Sequence, residues 1–255
     1  MLGAIIGDIA GSSYEFDNTS DYNFQMFTKE QDFTDDTICT VAVADAILSH
    51  RDFKTSLRRW CRKYPHPKGE YGSYFLNWVM RPDPYPYNSF GNGSAMRVSP
   101  VSWLFDNERE VISQAEQSAA ITHNHPEGIK GAIAIAVAIF RMRTSSTKPS
   151  AVFESAAKEY YGDNIFANLP EKGFFDVTCQ GCVPLALYLA SLATSFEDAI
   201  RLAVSYGGDT DTVGAIVGSL AEAQYEIPRV MAENAKSYLP QEMLDVLNLF
   251  EKQKK

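Results

Sequence analysis

The chain is poor in cysteine, has no long apolar run and carries no excess of positive charge. Four cysteines in 255 residues, Cys39, Cys61, Cys179 and Cys182, are too few for a disulfide scaffold, and a reducing compartment keeps such residues as thiols. The spacing Cys179-Gln-Gly-Cys182 is that of a redox or zinc motif, but no second CxxC or HxxxH completes four ligands and no βαβ pattern surrounds it. Two small residues opening a packed helix is the better reading. The longest apolar run, 132–140, falls far short of the roughly 20 residues that cross a bilayer, so no membrane span is expected. The opening MLGAIIGDIAGSS has no basic segment and Asp8 interrupts it, unlike a secretory signal. A cytoplasmic location is expected. A net charge of -9 argues against generic nucleic-acid binding, which needs clustered Lys and Arg to displace counterions. The one basic concentration, Arg58, Arg59, Arg62 and Lys63, reads as a solvated helix face.

What is present is ordinary globular material, 45% apolar and 22% charged, long enough to bury a sizeable core. Apolar residues recur at helical spacing through 37–48, 109–121, 128–143, 183–193, 196–204, 213–224 and 228–238, and no alternating strand pattern is found. Start signals support several of these helices: Ser195 ahead of Phe196-Glu197-Asp198, Pro126-Glu127, and Pro228. Stretches such as GAIAIAVAIF and VGAIVGSLAEA put small residues on several faces, which lets helix axes approach closely. The expectation is an all-α fold, a compact single-domain helical bundle over 1–255. Gly3, Gly7 and Gly11 recur every fourth residue; Asp8 among them rules out a membrane dimer motif and leaves close packing of a buried first helix. The segment 63–93 differs, with five prolines and five tyrosines, and reads as a set of loops suited to a binding surface or a covering flap.

Two acidic clusters stand at helix starts: Phe33-Thr34-Asp35-Asp36-Thr37, and Gly207-Gly208-Asp209-Thr210-Asp211-Thr212. Either alone is explained by capping, because Asp and Thr are favoured caps and a helix N-terminus welcomes negative charge. Together they supply more carboxylates than capping uses. Convergence of four Asp and two Thr would give an all-oxygen set suited to hard cations such as Mg²⁺ or Mn²⁺, with the paired glycines allowing close backbone approach to a ligand. Ser89-Phe90-Gly91-Asn92-Gly93, ahead of a helical segment, can present backbone N–H groups to an anion. In Thr122-His123-Asn124-His125-Pro126, ligand contact or hydrogen bonding suits the histidines better than metal ligation.

The ordered motifs GAIIGDIAGSSYEF, FTDDT, GNGSAMR, THNHPEG and GGDTDTVGAI resemble the ADP-ribosylglycohydrolase family, which includes the dinitrogenase reductase-activating glycohydrolases. The resemblance runs from Leu2 to about Ala221. It implies an all-helical domain with a binuclear Mg²⁺ or Mn²⁺ centre that hydrolyses the bond between ADP-ribose and an acceptor, either a protein side chain or a small ADP-ribosyl compound. By the same resemblance Thr34, Asp35, Asp36, Asp209, Asp211 and Thr212 are metal ligands, and Glu15 lies near the metals and the scissile ribose. Glu15, Asp35 and Asp211 are then the catalytic candidates, with Glu70 as the counterpart of an acidic acceptor-reading residue. Ser89, Phe90, Gly91, Asn92 and Gly93 would cradle the diphosphate, His123 would contact ADP-ribose and Gly208 would line the ribose. Tyr14 stands where many relatives have proline before the early glutamate. A monomer is expected. Two rivals are a non-catalytic ADP-ribose-binding or structural protein on the same scaffold, and a two-metal nucleotide phosphohydrolase.

Overall fold

Helix α1 (Leu2–Gly11) is buried along its whole length, and glycine decides how. A Cβ on Gly3 would lie 2.2 Å from the Gly218 carbonyl oxygen, one on Gly7 1.9 Å from that of Gly214, and one on Gly11 2.2 Å from that of Thr210. Numbers rise along one helix as they fall along the other, so α1 and α12 (Thr210–Glu222) run antiparallel with backbones touching. The every-fourth-residue glycines are this seam.

The computed structural model describes residues 1–255. Between the seam helices the chain forms α2 (Asp35–Leu48), α3 (Phe53–Lys63), α4 (Ser73–Met80), the single turn α5 (Gly93–Met96), α6 (Ser99–Leu104), α7 (Glu108–Ala120), α8 (Pro126–Thr144), α9 (Pro149–Tyr161), α10 (Cys179–Leu192) and α11 (Phe196–Tyr206). After α12 come α13 (Arg229–Tyr238) and α14 (Gln241–Gln253). There is no strand, only isolated bridges between Thr34 and Lys68 and between Gly91 and Thr178. The buried apolar side chains form one cluster reaching from Met1 to Phe250. Side-chain caps set many helix starts: Thr34, Asp52, Asn107, Thr178 and Ser195 each accept from a backbone N–H in the first turn of α2, α3, α7, α10 and α11. No helix is long and apolar enough to cross a membrane.

Three expectations need correction. The segment 63–93 is not loop throughout, because α4 lies inside it and buries Phe75, Trp78 and Val79; prolines crowd both flanks but none falls within it. The basic face of α3 is not simply solvated. Arg58 and Arg62 donate through Nε to the Val79 carbonyl at 3.2 and 3.0 Å and so satisfy the end of α4. Apolar periodicity also marks no helix at α9 or α14, whose buried faces are thin: Val152, Phe153, Ala156 and Ala157 in one, Met243, Leu247 and Phe250 in the other.

Candidate active site

The glycine seam delivers the first acids. Thr210 Oγ1 donates to the Gly11 carbonyl at 2.8 Å, so the chain leaving α1 runs beside the start of α12, and Glu15 is brought to Asp209 and Asp211. The second helix start is tied to the first through Asp8. Its buried carboxylate accepts from the Thr34 and Thr37 amides at 3.0 Å each, and also from the Thr37 hydroxyl. Two helix N-termini, each carrying aspartates in or just before its first turn, therefore meet at one point.

At that point the carboxylates are crowded. Oxygens of Glu15, Asp209 and Asp211 lie within 4.8 Å of one another. Thr212 Oγ1 donates to Asp36 Oδ2 at 3.1 Å and joins the two acidic segments directly. Asn92 Nδ2 donates to Asp209 Oδ2 at 2.6 Å. Asp36 Oδ1 is buried with no hydrogen-bond partner. Burial first, and then the charge of Asp211, push the carboxyl pKa values up: Asp8 to about 7, Glu15 to about 8, and Asp35, Asp36 and Asp209 well above the ordinary range. Lys68 opposes this at Glu15. An all-oxygen donor set with mutual repulsion and an orphaned carboxylate oxygen fits a hard divalent cation.

The cluster forms the floor of a cavity of about 750 Å³, the size of a small-molecule site. Its walls are the 89–93 loop, His123, Arg97 and a set of aromatic rings. Phe16 stacks on Phe175 at 6.0 Å, Tyr74 on Tyr87 at 6.3 Å, and Phe90 meets His125 edge-on at 5.3 Å. Phe16 and Tyr74 are 75% and 76% exposed, so the rim holds rings in water, where a ligand or acceptor can cover them.

A family model described as ADP-ribosylglycohydrolase matches residues 1–254. The chain belongs to the ADP-ribosylglycohydrolase family. Among its relatives is the ADP-ribosyl-[dinitrogen reductase] glycohydrolase of Rhodospirillum rubrum, 25% identical over 89% of this chain and 84% of that protein. Another is the human ADP-ribosylhydrolase ARH3, 23% identical over 93% of this chain and 88% of that one. A solved structure titled ADP-ribosylglycohydrolase-related protein complex superposes with a TM-score of 0.76 at 23% identity, covering 99% of this chain and 95% of its own, which shows a shared fold.

In this member of the family, Glu15, Asp35, Asp36, Asp209, Asp211, Thr212, residues 89–93 and His123 all line the one cavity. Thr34 stands just behind, its Oγ1 accepting from the Asp36 amide and lying 3.4 Å from Asp36 Oδ2. Glu70 also lines the cavity, exposed, with positive φ and a carboxylate 3.8 Å from His66 Nδ1. The 89–93 loop is less open to an anion than its sequence implies, because the Gly91 amide donates to Ser89 Oγ and the Asn92 amide to the Val177 carbonyl. Gly208 is not part of the cavity wall. It has φ +87°, and a Cβ there would lie 2.6 Å from the Phe174 carbonyl, so protein backbone requires this glycine. His125 caps α8, its Nδ1 accepting from the Glu127 amide. Cys179 and Cys182 are buried free thiols at the start of α10, bonded to backbone carbonyls, as expected for a packed helix.

Sequence reasoning missed Asp8 and Asn18 as parts of this site. Asp8 carried a signal, a lone acid inside an apolar helix that has to be buried. Asn18 carried none. Its amide donates to the Tyr14 and Glu15 carbonyls and to that of Gly208, and accepts from the Gly208 amide, so one side chain joins the Glu15 segment to the turn before Asp209.

Proposed function

We propose that this protein is a divalent-metal hydrolase that cleaves the glycosidic bond between ADP-ribose and an acceptor, an ADP-ribosylated protein side chain or a small ADP-ribosyl compound. The observation that carries this reading is the meeting of two acidic segments, more than 170 residues apart, around a buried point where Asp36 Oδ1 has no partner. Thr34, Asp35, Asp36, Asp209, Asp211 and Thr212 would hold two Mg²⁺ or Mn²⁺ ions, which when bound neutralise the cluster and lower the pKa of a coordinated water.

The chain's own groups do the rest. Asn92 orients Asp209 through its 2.6 Å bond, and Thr212 fixes Asp36. Glu15 reaches in from the other wall, where a Cβ on Gly69 would lie 2.8 Å from its Oε2, so Gly69 leaves the space this carboxylate occupies. Glu15 can move a proton between water and the departing acceptor. The surrounding carboxylates favour the positive charge that develops on the ribose as the acceptor leaves. The aromatic rim excludes water from the distal parts of the substrate.

The test is a panel of ADP-ribosylated acceptors incubated with defined Mg²⁺ or Mn²⁺, with free ADP-ribose read by mass spectrometry. Release by the wild type, lost in Asp209→Ala and Asp211→Ala, is expected. Undiminished release by those variants overturns the mechanism. Tight ADP-ribose binding without product would favour a binding protein, and released phosphate a nucleotide phosphohydrolase.

A further inference from the structure

A polar chain that neither the acidic cluster nor the proposed reaction uses runs through the cavity wall. Arg97 is 1% exposed, Thr122 fully buried and His123 5% exposed. One guanidinium nitrogen of Arg97, NH2, donates to the Ser118 carbonyl at 2.9 Å and to Thr122 Oγ1 at 2.8 Å. Thr122 Oγ1 lies 2.7 Å from His123 Nδ1. The far side of the ring, Nε2, faces the glycines of the 89–93 loop: a Cβ on Gly93 would lie 3.1 Å from it and one on Gly91 3.6 Å. His123 is part of the cavity lining.

The direction of each bond follows from counting protons. A guanidinium only donates, so Thr122 Oγ1 accepts from Arg97. The threonine hydroxyl has a single proton and, beyond Arg97, a single neighbour, His123 Nδ1. If Nδ1 carried a proton, that hydroxyl proton would be buried without an acceptor, at the full cost of an unsatisfied donor. Nδ1 is therefore the acceptor, and the ring proton sits on Nε2. An imidazolium fails by the same count, since both of its nitrogens donate.

We infer that Arg97, acting through the Thr122 hydroxyl, is a positioning residue that fixes His123 as a neutral Nε2–H donor aimed at the 89–93 loop. His123 then serves that wall as a hydrogen-bond donor to a ligand oxygen and not as a general base. Its surroundings agree: burial and then the Arg97 charge hold its pKa well below the ordinary histidine value, and the other titratable ring facing it is the Tyr87 phenol, 6.1 Å away between centroids. The inference rests on the proposed function only for what the Nε2–H meets; the tautomer stands on the protein alone.

The experiment is ¹⁵N NMR of histidine-labelled full-length protein, with His123 assigned by loss of its signals in His123→Gln. The expected result is an unprotonated, acceptor-type Nδ1 and a protonated Nε2, unchanged between about pH 8 and pH 5. Thr122→Val, close in shape but without the hydroxyl, is expected to give mixed tautomers. Thr122→Ser should restore the wild-type pattern. With an ADP-ribosyl substrate, Thr122→Val should raise KM by about 5-fold with little change in kcat, the scale of one misoriented hydrogen bond. A protonated Nδ1 in the wild type, or a Thr122→Val spectrum identical to the wild type, overturns the inference. Because the spectrum needs no substrate, it separates this outcome from failure of the proposed activity.

Discussion

The two ends of the α1–α12 seam bury carboxylates in opposite ways. At one end Glu222 closes α12, and its Oε2 accepts from the Met1 α-amine at 2.5 Å and from the Gly3 amide at 2.8 Å, with Lys254 Nζ 3.8 Å from Oε1. Burial pushes the Glu222 carboxyl up, but the amine, Lys254 and the Gly3 N–H outweigh it and leave the group below its ordinary value. Burial also lowers the Met1 amine despite Glu222, and Lys254 lowers it further, whereas Lys254 and the Gly3 N–H both favour the ionised carboxylate. At the other end Asp209 and Asp211 open the same helix, and what they meet is further acid: Glu15, Asp35, Asp36 and Asp8. The seam holds both ends equally close, so backbone packing does not explain the difference. A carboxylate buried for stability arrives with its cation from the chain, whereas the cluster at the start of α12 makes no ion pair within the chain and could hold a metal ion.

This contrast can be broken at either end. The largest effect is expected for Asp211→Asn, which should lower turnover of an ADP-ribosyl substrate by about 1,000-fold or more, measured as ADP-ribose released. In chelator the same substitution should raise the thermal midpoint, because it removes the charge that acts on all its acidic neighbours. A fall would place Asp211 with Glu222 as a structural group. Glu222→Gln should do the reverse, leaving the chemistry of folded protein intact while costing about 3 kcal/mol in denaturant unfolding by stripping a buried amine of its counter-charge.

Divalent cations sharpen the same distinction. At about 100 times their dissociation constant they should stabilise the wild type by about 2.7 kcal/mol in thermal or urea unfolding, stabilise Glu222→Gln equally, and leave Asp211→Asn nearly unchanged. pH separates the ends further. The Glu222 pKa is depressed in the folded state, so its contribution is present above the ordinary value of 4.5 and is lost as pH falls through the folded value. An acid-side loss of stability that is smaller in Glu222→Gln is expected from urea unfolding below about pH 4.5. The smallest effect is expected for Asn18→Ala, which should lower turnover by about 5-fold by freeing the Glu15 segment from the Gly208 turn, with KM little changed.

Helix content was legible because the apolar residues of α2, α7, α8 and α10 to α13 repeat at helical spacing over a dozen residues or so. Thin buried faces do not alone explain why α9 and α14 escape the pattern, since α13 buries only Met231 and Ala235 and is legible as a helix with Pro228 marking its start. α4 was hidden by its neighbours, since proline on both flanks speaks for the flanks and not for the eight residues between them. The acidic cluster was legible as a conflict: two sets of carboxylates in excess of capping needs. Its supporting groups were not. Asn18 and Arg97 are unremarkable residue types whose partners lie 190 and 25 residues away, and nothing local marks a hydrogen bond across such distances.

By itself the sequence determined that this chain is helical, that its first helix must pack backbone to backbone, and that two acidic helix starts demand a common explanation. Those follow from local rules: periodicity, the missing Cβ of glycine, and repulsion between like charges. Only the tertiary structure decided which acids share a point, which one is neutralised by the chain itself, and which way the His123 ring is held. Each depends on through-space neighbours, and proximity in a folded chain is fixed by how whole helices pack, which no short stretch of residues encodes.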